Sequence, residues 1–141
     1  MEIAILFWAL ILPACSYAVM FGGWEGRCAP AILVVASIAT GLSNKWLLVH
    51  WHETNISVLV IDVMTFTALY LVAAVSHRWW PIWMTAFQLN SVAGHVATTL
   101  SPEFKNLVYQ GYSALWAVPC VLVMVYGIWR DRVGPHRYEF I

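Results

Sequence analysis

The chain has 141 residues, of which 62% are hydrophobic and only 10% charged, against roughly 25% charged in ordinary soluble domains. With a mean hydropathy of +0.74 it carries more apolar surface than so small a soluble fold can bury, and its zero net charge offers no basic footprint for nucleic acid. Three cysteines without a CxxC pair supply neither a disulfide framework nor a zinc site.

Stretches of about 20 apolar residues are the signature of membrane-crossing helices, and five occur in chain order. The first, about residues 3–20, stops at Gly22-Gly23. It lacks the basic leader of a secretory signal, having Glu2 instead, and is expected to stay in the protein despite a faint lipoprotein-like box at Leu12-Pro13-Ala14-Cys15. The second, about 30–50, opens on Pro30, since proline suits the first turn of a helix. Ser43-Asn44-Lys45 interrupts it, so a re-entrant or peripheral segment stands as the alternative. The third covers about 56–75. The fourth covers about 81–100, after Trp79-Trp80, and the fifth about 107–129, before Arg130-Asp131-Arg132.

The expected fold is therefore all-α: one domain of five transmembrane helices in a compact bundle, with residues 130–141 as a short tail. Counting Lys and Arg by side puts Arg27, Arg78, Arg130, Arg132 and Arg137 together, against Lys105 and Lys45. The positive-inside rule then places the amino terminus outside and the carboxyl terminus in the cytoplasm, in a cell inner membrane. Trp24, Trp46, Trp51, Trp79, Trp80 and Trp129 fall at the two interfaces, where amphipathic rings anchor a helix.

Polar residues within the spans line up. Gln88, Ser91, His95 and Thr98 step by three, four and three along one face of the fourth helix. Ser37, Gly41 and Lys45 step by four on the second, and Asp62 and Thr65 share a face of the third. Lipid offers such groups no partners, so these faces turn inward. Reflecting the second and third helices about their connection near Glu53 sets Lys45 and Asp62 at equal depth, roughly 10 Å below the outer surface at 1.5 Å per residue. An ion pair between them is expected, with snorkelling of Lys45 as the competing outcome. His95, Gln110 and Tyr112 complete an expected polar layer, beneath His50-Trp51-His52-Glu53.

Three functions compete for that layer. Hydrogen bonds between helices hold bundles together, with Gly41, Ala93, Gly94, Ala97 and Gly111 permitting close backbone approach; this describes an accessory, assembly or stabilising subunit of a larger membrane complex, an energy-transducing one being a plausible host. His50, His52, Glu53 and His95 are instead candidate ligands for a haem, a metal, a quinone or a chlorophyll-type pigment. Asp62 and His95 are also candidates for proton or ion conduction in a homo-oligomer. No phosphate loop, GxSxG or HExxH motif is present, so no enzyme is expected. The expected partners are the lipid bilayer and other integral membrane subunits.

Overall fold

The computed structural model describes residues 2–46, 56–100 and 106–134; side chains at 2–4, 7, 44–46, 98–99 and 106–114 lie outside that description. Five α-helices account for nearly all of it: α1 (Glu2–Phe21), α2 (Glu25–Trp46), α3 (Ile56–Val75), α4 (Trp80–Leu100) and α5 (Asn106–Val133). No strand occurs among the described residues. Each helix packs on its neighbours in sequence, and α1 closes against α5. Among the described residues, Glu25–Ser43 and Ile56–Val75 are long and apolar enough to cross a membrane, whereas the apolar stretch Trp8–Phe21 is shorter.

α3 coincides with the expected third segment. α2 begins five residues earlier than its proline suggests, so Pro30 sits inside the helix rather than at its start. The α1–α2 turn explains this. Gly23 has φ +68°, a conformation that side chains disfavour and glycine adopts readily. The reversal lets the amides of Arg27 and Cys28 bond the Trp24 carbonyl at 3.1 and 3.0 Å, which starts α2 at once. At the corresponding end of the next hairpin, the Arg78 amide donates to Ser76 Oγ at 3.0 Å. Pro81 then occupies the first turn of α4, where its missing N–H costs nothing.

The apolar core lies toward this end of the bundle. Ile11, Ala14, Cys15 and Ala18 of α1 form one buried cluster with Cys120, Val121, Met124 and Ile128 of α5 and Trp80 and Met84 of α4. Both stripes recur every three or four residues, the spacing that keeps side chains on one helical face. Trp80 is fully buried against Gly127, where an added Cβ would stand 2.3 Å from the Trp80 Cβ. Glycine is required there for the helices to touch.

Of the small residues expected to bring backbones together, Gly41, Ala93 and Ala97 do not do so among the described residues, and the side-chain position of Gly111 lies outside that description. A Cβ built on Gly41 meets nothing within 4 Å, and Ala93 and Ala97 are exposed. The faces of α2 and α4 that pack inward are set by larger side chains: Ile32 and Leu33 on α2, Trp80, Met84 and Phe87 on α4. Close approach falls instead at Gly22, Gly26 and Gly127.

Candidate functional site

The α3–α4 hairpin turns near residues 76–79. Reflection about that turn sets Asp62 level with Ser91, since each lies about fourteen or fifteen residues from the midpoint, some 22 Å along the helices at 1.5 Å per residue. On α4, Gln88 and His95 flank Ser91 at three and four residues, which keeps all of them on the face toward α3. The Asp62 carboxylate meets this row. His95 Nε2 donates to Oδ2 at 2.7 Å, Ser91 Oγ donates to the same oxygen at 2.9 Å, and Gln88 Nε2 donates to Oδ1 at 3.3 Å.

Burial makes this arrangement chemically consequential. The His95 side chain is 2% exposed and that of Asp62 15%. A carboxylate withdrawn from water is costly unless donors replace its hydration, and charge-assisted bonds such as that from His95 are the strongest available replacement.

Of the remaining polar stripe, several hydroxyls turn back on their own helix. Ser37, Thr65 and Thr85 donate to the carbonyls of Leu33, Ile61 and Pro81 at 2.8, 2.7 and 2.9 Å. This back-bonding satisfies a buried hydroxyl without a partner helix. The side chains of Lys45, Thr98, Gln110 and Tyr112, and the whole of His50, His52 and Glu53, lie outside the described residues. Among the described residues, no group of three or more His, Cys, Asp or Glu side chains comes together as a metal site. Cys15 and Cys120 are buried and Cys28 is exposed; all three are free thiols.

A second polar cluster sits at the opposite end of the bundle. Arg78, in the α3–α4 turn, reaches Glu25 at the start of α2 (Nε to Oε1, 3.6 Å) and Asp131 near the end of α5 (Nη1 to Oδ2, 3.2 Å). Ser76 Oγ donates to Glu25 Oε1 at 3.2 Å. One guanidinium thereby joins three separate parts of the chain. In the sequence, Arg78 enters only the count of basic residues by side, and no pairing with Glu25 or Asp131 is expected from it. The signal available was that Glu25, Arg78 and Asp131 all fall at the same end of an antiparallel bundle.

Compared with known proteins, the chain matches no family model, no curated protein and no solved structure.

Proposed function

We propose that the chain is a five-span protein of the cell inner membrane, amino terminus outside and carboxyl terminus cytoplasmic, serving as a non-catalytic assembly or stabilising subunit of a larger membrane complex, with an energy-transducing complex as a plausible host. One observation carries the reading: the helices are apolar outside and hydrogen-bonded inside. Leu6, Val35, Leu71, Ile82 and Leu115, one from each helix, are 57 to 69% exposed, while Gln88, Ser91 and His95 converge on Asp62 between helices. Water penalises such a surface and lipid does not. Part of the lower hydropathy of α4 comes from Gln88, Ser91 and His95, which turn toward Asp62, while Asn90 is exposed.

The subunit reading follows from how the polar groups are engaged. Asp62 and Arg78 each tie helices together, which is the work of a scaffold. Exposed indoles and phenols, Trp24, Trp83, Tyr70, Tyr126 and Trp129, suit packing against other membrane helices. Mild extraction, affinity capture of the full chain and mass spectrometry test this: integral membrane partners at fixed stoichiometry are expected. Recovery of a homo-oligomer that conducts ions in liposomes would overturn it in favour of the second reading, proton exchange through the Asp62–His95 dyad. That alternative is favoured by the 2.7 Å contact. A visible chromophore or bound metal in the purified protein would instead establish a cofactor role for His95 and its neighbours.

A further inference from the structure

α1 and α5, the first and last helices, close the bundle around an apolar groove of about 290 Å³. Leu10, Pro13, Ala14 and Tyr17 form one wall, and Val121 and Val125 the other. Along α1, Phe21 follows Tyr17 by four residues and packs beside it, the ring planes tilted by 55° and the centroids 5.1 Å apart. Along α5, Arg132 follows Val125 by seven residues, two turns further on the same face. Its guanidinium lies over the Phe21 ring, 4.0 Å from the centroid. The groove is thus apolar along its length and cationic at one mouth.

That cation is uncompensated among the described residues. The two carboxylates at this end, Glu25 and Asp131, are both held by Arg78, and Arg132 is exposed. The dimensions also fit a lipid. Leu10 to Phe21 spans eleven residues, about 16 Å of helix, close to the hydrocarbon depth of a single leaflet, half of roughly 30 Å. A partner helix would fill the apolar walls but would need an acidic residue at Arg132. An anionic phospholipid supplies chain and charge in one molecule, and a guanidinium matches phosphate oxygens in two-point geometry.

We propose that the α1–α5 groove binds one anionic phospholipid of the leaflet at the Arg132 end, with an acyl chain along the groove and the phosphate on Arg132. The site rests on the membrane reading above and would give the subunit a fixed lipid at its seam. The test uses the purified full chain with dioleoylphosphatidylglycerol or dioleoylphosphatidylcholine, counting retained lipids by native mass spectrometry. Retention of the glycerol lipid is expected to exceed that of the choline lipid about fivefold, the weight of one cation near a lipid surface. Arg132→Gln should remove that preference yet still bind chains, and Leu122→Trp, which fills the groove from its exposed rim, should lower retention of both.

Equal retention of the two lipids by the wild type would overturn the site. So would a preference that survives Arg132→Gln, or retention untouched by Leu122→Trp in a variant of unchanged helicity. Disulfide-linked dimers of Leu122→Cys in a Cys28→Ser background would show that a second copy covers the groove instead. The membrane reading has its own readout: a protein washed off membranes by alkaline carbonate fails that reading, whereas one that stays but ignores headgroup charge fails only the lipid site.

Discussion

At Asp62 one carboxylate accepts from His95, Ser91 and Gln88, so its removal orphans several buried donors at once. Each unsatisfied buried group costs about 1–3 kcal/mol, more where charge is involved. Asp62→Ala should therefore lower thermal stability in detergent by about 2 kcal/mol or more, measured by unfolding of the purified chain. His95→Ala added to it should cost less than its effect alone, because the partner is already gone; strictly additive losses would show that the contact does no stabilising work. The same cycle with Lys45→Ala tests the proposed ion pair to Asp62, for which coupling is expected. Gly127→Ala addresses the other end. Its new methyl would stand 2.3 Å from the Trp80 Cβ, part of a rigid side chain with no room to retreat, so a loss of about 1–3 kcal/mol from overpacking is expected.

Among the elements, the connections rather than the helices decide which polar groups meet. Arg78 in the α3–α4 turn holds the first turn of α2 and the last turns of α5. Its side chain is one-third exposed and that of Asp131 one-quarter, so that contact contributes only about 0–1 kcal/mol. Glu25 is buried, and Arg78→Gln leaves its carboxylate with Ser76 as donor, so a destabilisation of about 1–3 kcal/mol is expected. The loss should shrink as salt is raised, since screening already weakens the wild-type contacts; a salt-independent loss would assign the effect to packing. Helix positions were largely readable from apolar runs, and α3 matches its run end to end. The start of α2 was not, because it depends on the left-handed Gly23 turn, which hydropathy does not register. Reflection about the 76–79 turn brings Asp62 to Ser91, and the three-four spacing on α4 already put Gln88 and His95 beside it. The Arg78 network was hidden for another reason: single charges near span ends look alike in sequence, and only the folded bundle brings α2, the turn and α5 together.

For the whole molecule, the number of crossings has a parity that can be measured. Among the described residues, two helices, Glu25–Ser43 and Ile56–Val75, have the length and apolarity for a span by themselves. If only these cross, both chain ends lie on one side; five crossings put them on opposite sides. Cys28 offers a reporter for the end that carries Arg78. It is exposed, whereas Cys15 and Cys120 lie buried in the core, so a membrane-impermeant maleimide should label this one thiol. With positive charge inside, labelling is expected in inverted vesicles and not in sealed right-side-out ones, and Cys28→Ser should abolish it. A tag after residue 141 should be accessible on the same side as Cys28 and a tag before residue 1 on the other. Both tags on one side would reduce the protein to an even number of crossings. If Glu25–Ser43 and Ile56–Val75 were then the only spans, Gln88, Ser91 and His95, bonded to Asp62 of the second, would have to enter the bilayer on a helix that does not cross it.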